Sequence, residues 1–141
     1  MPDGESVLFD FGAVVEGYCS DFGRTVVCGE PTAGYEEARE AMLAAQEAGR
    51  AAAVPGALAC DVNAACRAPI EVAGLGEGFR HRMGHGIGLD VHEWPFLSVE
   101  DETPIEAGMT FTDEPSILVD GRFGMRVEDV IAVAEGGATL L

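Results

Sequence analysis

The sequence has few basic residues and no long apolar run. Lysine and arginine together number 8 against 25 aspartate and glutamate residues, so the formal net charge is −17. A field of this sign repels phosphate backbones and anionic lipid headgroups, which excludes nucleic acid and membrane surfaces as expected partners. The best apolar candidate, 51–59, contains Pro55 and Gly56 and is shorter than the roughly 18 residues that a membrane span requires.

Secretion signals and paired cysteines are also missing. The N-terminal residues 1–5 have neither the basic nor the apolar block of a signal peptide, which predicts a cytoplasmic protein. The cysteines show no C-x-x-C spacing and are expected to be reduced. They are Cys19, Cys28, Cys60 and Cys66. With 141 residues, 48% of them hydrophobic, the chain is predicted to fold as one domain around one core.

The order of hydrophobic patterns predicts an α+β protein. Alternating apolar segments around Glu16-Gly17 indicate a hairpin, and a second hairpin follows near the C-terminus. Between them, two helix-forming segments precede a glycine-rich segment that is compatible with loop or strand, and Pro69 is expected to kink or end the second helix early. The predicted elements are strands 6–15 and 18–27, helices 35–53 and 60–72, the glycine-rich segment 74–88, and strands 109–118 and 125–134.

Carboxylates occupy facing positions of the first predicted hairpin. A two-residue loop at Val15 and Glu16 would place Asp10 directly opposite Asp21. Like charges that face each other on apolar strands destabilise a sheet unless a proton or a cation intervenes. The hairpin therefore predicts a divalent cation between these two side chains.

The second hairpin repeats this arrangement. A turn centred on Gly121 places Glu114 opposite Glu128 on strands that are otherwise largely apolar. The alternative is that each acid is an ordinary edge-strand residue facing solvent, because Asp and Glu are rarely buried. Four acids on two hairpins favour the metal hypothesis. Oxygen ligands suit Mg, Ca and Mn, and an added imidazole shifts the preference toward Mn, Fe, Co or Zn.

Three histidines lie within twelve residues, His81 and His85 in the glycine-rich segment and His92 just after it. Each one alone is more often a structural residue than a ligand. His85 is the candidate imidazole, because the glycine on either side would let the backbone and a ligand approach without a Cβ clash. His92 is followed by a glutamate but lacks the second histidine of the H-E-x-x-H zinc motif.

Six short blocks together resemble one enzyme family. They are Asp10-Phe-Gly, Gly17-Tyr-Cys-Ser-Asp21, His81-x-x-Gly-His85-Gly-Ile-Gly, His92-Glu-x-Pro95, Glu114-Pro115 and Arg126-Val-Glu128-Asp129. In this order, over residues 7–133, they resemble the pita-bread metallopeptidases, specifically the branch of Xaa-Pro dipeptidase (prolidase) and aminopeptidase P. The resemblance implies the C-terminal part of the pita-bread (creatinase/aminopeptidase-like) fold, with a curved antiparallel sheet and two helices.

The resemblance also implies a centre of two divalent ions, Mn first, with Co, Zn or Fe as alternatives. The implied ligands are Asp10, Asp21, His85, Glu114 and Glu128. Glu114 would also carry the proton of the attacking water. His92 and His81 would stabilise the charge that develops on the substrate carbonyl. Arg126 would orient Glu128 or the substrate. The implied reaction is hydrolysis of the bond before proline in small peptides.

Two details favour Xaa-Pro peptides over the substrates of methionine aminopeptidases, which share the fold. His81 lies four residues before His85, and Arg126-Val-Glu128-Asp129 stands where methionine aminopeptidases typically carry Glu-His-Thr. A methionine aminopeptidase and a non-catalytic pita-bread binding module are the alternatives. Binding modules of this fold lose several ligands at once, whereas all five are present here.

The chain also departs from the family. Pita-bread catalytic domains usually begin with helices and strands ahead of the position of Asp10, so residues 1–141 are interpreted as a partial catalytic domain. This part alone is therefore expected to be an incomplete catalytic fragment. Without the other half, an edge of the sheet and an apolar face of the helices would be uncovered, which predicts a homodimer or an exchange of segments between copies. Gly23 stands where relatives usually have threonine.

Overall fold

The computed structural model describes residues 1–141 and shows two helices packed against an antiparallel sheet. The α+β prediction is therefore confirmed. The strands are β1 (Ser6–Phe11), β2 (Val14–Val15), β3 (Tyr18–Cys19), β4 (Phe22–Val27), β5 (Gly84–Gly86), β6 (Glu93–Leu97), β7 (Thr110–Asp113), β8 (Ser116–Val119), β9 (Phe123–Ala134) and β10 (Gly137–Leu140). The helices are α1 (Tyr35–Ala52) and α2 (Ala59–Val72), followed by a 3₁₀ turn at Gly76–Gly78.

The long strand β9 organises the main sheet. The sheet runs β1-β4-β9-β7-β5-β6, and β8 and β10 also pair with β9, while β2 and β3 form a separate two-stranded ribbon. Side chains alternate between the two faces of a strand. The helix-facing residues of β9 are Phe123, Met125, Ile131 and Val133, which are buried in the core. Arg126 and Glu128 point to the opposite face.

The predicted register of the first hairpin was wrong by two residues. Its turn is formed by Glu16 and Gly17, with φ values of 53° and 92°. A two-residue turn of this kind needs both residues in the left-handed region, which glycine adopts without strain and the β-branched Val15 does not. Asp10 consequently pairs with Gly23 rather than Asp21. A shift of two positions keeps side chains on the same face, so the two carboxylates remain neighbours along a diagonal.

The register of the second hairpin is confirmed. Phe111 pairs with Ile131 in the β7–β9 ladder, and Ile117 pairs with Met125 in the β8–β9 ladder, both as a turn centred on Gly121 requires. Glu114 lies in the break between β7 and β8, so it makes no ladder pair with β9. Its backbone N–H donates instead to the carbonyl oxygen of Met83, at 2.9 Å.

Both predicted helices are present. Of the two effects expected of Pro69, a kink or an early end of the second helix, the early end was wrong. Helix α2 continues through Pro69 to Val72. Because the proline lies in the last turn, its missing N–H and its ring affect only one hydrogen bond of the helix. Neither helix is long and apolar enough to cross a membrane. The four cysteines are free, and burial raises the pKa of the Cys66 thiol.

Two strands were not predicted, and the first hairpin is more exposed than its composition suggests. Strand β6 contains Pro95 and β10 begins at the second glycine of the pair Gly136-Gly137, so neither segment has an uninterrupted alternating pattern. On the first hairpin, large apolar side chains face solvent, with exposed fractions between 52% and 68%. They are Phe9, Phe11, Val14, Val15 and Tyr18. These side chains form an exposed apolar surface on the first hairpin.

Candidate metal centre

The five predicted ligands converge on one cavity of about 420 Å³. Each comes from a different segment of the sheet, and the segments are up to 118 residues apart along the chain. Asp10 lies on β1, Asp21 immediately precedes β4, His85 lies on β5, Glu114 follows β7, and Glu128 lies on β9. The sheet thus assembles residues that no local segment of sequence could place together.

The ligand atoms form two linked groups. Asp10, Asp21 and Glu128 each offer a carboxylate oxygen, and these atoms lie within 4.8 Å of one another. His85 Nε2 lies 3.1 Å from Glu114 Oε1 and 3.9 Å from Asp21 Oδ2. The imidazole therefore connects Glu114 to the three-carboxylate group, and all five side chains lie around a single space.

Among the five candidate ligands, Glu128 lies in the environment that is least favourable for a negative charge. It is 1% exposed, and its Oε2 has no hydrogen-bond partner. Burial, followed by repulsion from Glu114, Asp21 and Asp10, raises the pKa of Glu128 to about 8. The same causes, burial and then the charge of Asp10, raise the pKa of Asp21. Bringing these carboxylates together is unfavourable unless protons or cations neutralise them.

Arg126 supplies the nearest positive side chain. Its Nη1 lies 2.7 Å from Asp10 Oδ2, 3.3 Å from Glu114 Oε2 and 3.7 Å from Glu128 Oε2. One guanidinium cannot balance four carboxylates. Oxygen-rich sets with one imidazole suit a borderline divalent ion, so the residues present fit a metal centre, and the unpartnered Oε2 of Glu128 is available as a ligand atom.

His85 and Glu114 are both held in defined states. The Nδ1 of His85 lies 3.0 Å from the carbonyl oxygen of Gly86, which can only accept, so Nδ1 carries the proton and Nε2 faces the cavity. Burial lowers the pKa of His85, but its hydrogen bonds to Glu114 and Gly86 raise it overall. Burial raises the pKa of Glu114, but hydrogen bonding by His85 and the charge of Arg126 lower it below its usual value.

Glycines let three backbones approach the centre. A Cβ on Gly84 would lie 1.9 Å from the carbonyl oxygen of Thr112, and one on Gly86 would lie 2.6 Å from that of Glu93. A Cβ on Gly23 would lie 2.5 Å from Glu128 Oε2. The sequence argument that the glycines around His85 permit close approach is thus confirmed for backbone, and Gly23 leaves room for the Glu128 carboxylate.

Gly84→Ala is expected to destabilise the chain by more than ~2 kcal/mol, because the new methyl group meets backbone that cannot rotate away. Chemical denaturation of the metal-free protein measures this loss. Gly136→Ala is the matched control, since nothing lies within 4 Å of the corresponding Cβ and its φ is not left-handed. Equal unfolding free energies for the two variants would contradict the close approach of β5 to Thr112.

The predicted catalytic residues occupy two adjoining cavities. His92 and Arg126 line the main cavity, where the His92 ring packs on His85 with centroids 4.1 Å apart. His81 does not line it. A smaller cavity of about 170 Å³ is bounded by His81, His92, Glu114 and Arg126, so His81 shares that space with three residues of the main cavity.

Two residues beside the site were not predicted from the sequence, and one of them, Thr112, holds two ligands in place. Thr112 Oγ1 accepts from the backbone N–H of His85 and donates to Glu114 Oε1, at 3.0 and 2.9 Å. Arg82 bounds the smaller cavity, makes no hydrogen bond or ion pair, and lies over the ring of Phe96. Strand alternation could have identified Thr112, two residues before Glu114 on the same face. No pattern marked Arg82.

Comparison with known proteins shows which family the chain belongs to. Residues 1–135 match the profile of metallopeptidase family M24. The chain belongs to metallopeptidase family M24. Its relatives include an Xaa-Pro dipeptidase from Lactobacillus delbrueckii subsp. lactis, which is 44% identical over 133 residues. The alignment covers 94% of this chain and 36% of that relative.

Solved structures agree with the M24 assignment. The prolidase from Pyrococcus horikoshii OT3 is 40% identical with a TM-score of 0.91, covering 96% of this chain and 39% of that one. The X-Pro aminopeptidase from Thermotoga maritima MSB8 is 38% identical with a TM-score of 0.91, covering 96% and 38%. The predicted pita-bread fold and prolidase-like family are confirmed. The M24 chain spans less than half the length of these relatives.

Proposed function

We propose that this M24 chain forms the metal-binding part of a hydrolase that cleaves Xaa-Pro peptide bonds. The observation that carries the proposal is the convergence of the five candidate ligands on one cavity, with a buried carboxylate that has no partner. Relatives that resemble this chain over nearly all of its length are named Xaa-Pro dipeptidase, prolidase and X-Pro aminopeptidase. A small peptide that contains proline is the proposed substrate.

Two divalent ions, Mn in the first place, are proposed as the cofactor. Asp21 and Glu128 would hold these ions from the middle of the ligand-bearing chain segments, beside Asp10 in the three-carboxylate group. Asp10 would complete the site on the β1 side, and His85 and Glu114 would complete it on the β5 and β7 side. When bound, the ions would supply the acidity that makes water a nucleophile at neutral pH and would polarise the substrate carbonyl.

The residues of the chain would handle the proton and the substrate. Glu114 is held as a carboxylate by Arg126 and by the Thr112 hydroxyl, so it can accept the proton of water and pass it to the leaving nitrogen. His92, which packs on His85 at the cavity wall, would donate to the substrate carbonyl oxygen. His81 would assist from the smaller cavity. Arg126 would orient Glu128 and the substrate.

The extent of the domain, its cellular location and its oligomeric state are also proposed. Residues 1–141 are proposed as a partial catalytic domain, because relatives of the same fold are more than twice as long. The cytoplasm is the proposed location. The exposed apolar side chains of the first hairpin support a homodimer, in which Phe9, Phe11 and Tyr18 would be covered by a second copy. A single monomeric mass in light scattering at all concentrations would contradict the dimer.

Hydrolysis of Xaa-Pro dipeptides in the presence of Mn²⁺ tests the proposed function. The protein is expected to release proline, and Glu114→Gln is expected to lower kcat by ~10²–10⁴-fold because it removes the proton acceptor. Glu135→Gln changes an exposed acid beyond β9 and serves as the matched control. The assay is run on the 141-residue chain and on the longest polypeptide that its gene encodes.

The same assay separates the alternatives. Release of methionine from Met-initiated peptides, without cleavage of Xaa-Pro bonds, would identify a methionine aminopeptidase. Stoichiometric metal binding without hydrolysis of either peptide class would favour the non-catalytic binding module. Failure to bind Mn²⁺, Co²⁺, Zn²⁺ or Fe²⁺ in a titration would contradict both the metal centre and the reaction.

A further inference from the structure

One polar side chain of helix α1 is buried among apolar neighbours. Gln46 is 6% exposed, whereas the other buried residues of this helix are Tyr35, Ala38, Met42, Ala45 and Gly49. A buried carboxamide stabilises a helix–sheet contact less than an apolar side chain of the same size unless its hydrogen bonds are satisfied. The hydrogen bonds of Gln46 therefore indicate what this residue does.

Gln46 binds two opposed strand residues with its two N–H groups. Nε2 donates to the carbonyl oxygen of Asp113 at 3.1 Å and to Asp129 Oδ2 at 2.9 Å. Both partners can only accept, so the amide nitrogen must face them. Asp113 and Asp129 pair directly in the β7–β9 ladder. One side chain thus ties the two strands together from the helix side.

The tied residues are the immediate neighbours of two proposed ligands. Asp113 precedes Glu114 and Asp129 follows Glu128. Strand alternation directs Glu114 and Glu128 to the opposite face, where both line the main cavity. Because the β7–β9 ladder ends at the Asp113–Asp129 pair, no ladder hydrogen bond beyond it fixes the separation of the two glutamates until β8 begins.

A second connection continues from Asp129 to the backbone of Glu128. Arg24 Nη2 donates to Asp129 Oδ1 at 2.7 Å, and Arg24 Nη1 donates to the carbonyl oxygen of Glu128 at 2.6 Å. The same Nη1 lies 2.8 Å from the carbonyl oxygen of Gly23. The segment that carries Glu128 is thus held by Gln46 through Asp129 and by Arg24 directly.

We propose that Gln46 is a positioning residue that sets the separation of Glu114 and Glu128 and thereby the affinity of the metal centre. It acts through the backbone and touches neither ion nor substrate. The inference rests on the proposed function only in taking Glu114 and Glu128 as ligands. Groups that hold metal ligands in place typically change metal affinity by ~10–100-fold when they are replaced.

Isothermal titration of the metal-free protein with Mn²⁺ tests this inference. Gln46→Met keeps the length of the side chain and removes both donors, and it is expected to weaken Mn²⁺ binding by ~10–100-fold. Met42→Ala, one turn earlier on the same helix and fully buried, is the control. It is expected to lower the melting temperature while the Kd of the folded protein stays within about twofold of the wild-type value.

A second variant covers the case in which Gln46→Met does not fold. Gln46→Asn keeps the carboxamide but is too short to reach both acceptors, so an intermediate loss of affinity is expected. Wild-type Mn²⁺ affinity in either folded Gln46 variant would overturn the positioning role while leaving the proposed function intact. Absence of Mn²⁺ binding by the wild-type protein would overturn the proposed function itself.

Discussion

Glu128→Gln is expected to stabilise the metal-free chain and to weaken metal binding by at least the ~10–100-fold that is typical when a group that merely holds a ligand in place is lost. The carboxyl of Glu128 is buried beside Glu114, Asp21 and Asp10, which is why its pKa is about 8. At pH 7 the folded chain must therefore take up a proton that glutamine does not need. The expected gain in unfolding free energy is on the order of 1–3 kcal/mol. Urea denaturation with chelator measures the gain, and calorimetric titration with Mn²⁺ measures the affinity.

The exposed acid Glu135 again offers a matched control. Glu135→Gln removes the same charge at the surface, so both its unfolding free energy and its metal affinity should remain within error of the wild-type values. A Glu128→Gln variant that is less stable than wild type in chelator and binds Mn²⁺ normally would contradict this prediction. It would show that repulsion between the carboxylates does not destabilise the metal-free site.

The second large effect is a reversal of the pH dependence of stability when metal is added. Glu128 and Asp113 both have folded-state pKa values of about 8, well above the values of unfolded carboxyls, with burial as the main cause in each case. Their protonated forms favour folding fully below about pH 4, and this contribution is lost as the pH rises toward about 8. The metal-free chain should therefore lose stability steadily over that window.

Metal ions compete with protons for the same carboxylates, so their stabilising effect should grow as the pH rises. At ~1,000 times the Kd, bound ligand contributes ~4 kcal/mol, which corresponds to a rise of ~8–16 °C for a domain of this size. Melting temperatures at pH 5, 6.5 and 8, each with Mn²⁺ and with chelator, give both curves. A melting temperature that rises with pH in chelator, or that Mn²⁺ does not change at pH 8, would contradict this account.

The Asp113→Asn variant distinguishes the contribution of Asp113 to the pH dependence of stability from that of Glu128. Asp113 is fully buried, both of its carboxylate oxygens lack a partner, and it does not line the cavity. The variant should flatten part of the pH dependence in chelator while the response to Mn²⁺ remains. If the melting temperature of this variant in chelator changes with pH as steeply as that of wild type, the pH dependence comes entirely from Glu128 and its neighbours.

Local sequence signals account for much of the architecture. Alternating apolar residues predicted the four hairpin segments, and helix formers predicted α1 and α2 almost to the residue. The second hairpin register followed from Gly121, because a positive φ of 72° at the turn is easy for glycine. The first register failed where Val15 was placed in a turn that requires left-handed backbone at Glu16 and Gly17.

The amino-acid sequence by itself determined which residue types were available as ligands, which hairpin or glycine-rich segment carries each of them, and which family the chain resembles. Only the tertiary structure decided that His85 lies between Glu114 and Asp21, that His81 lines a separate cavity, and that Gln46 ties β7 to β9. The reason is physical: distances, burial and pKa values depend on side chains from strands far apart in the chain, and strand alternation specifies a face but no neighbour on it.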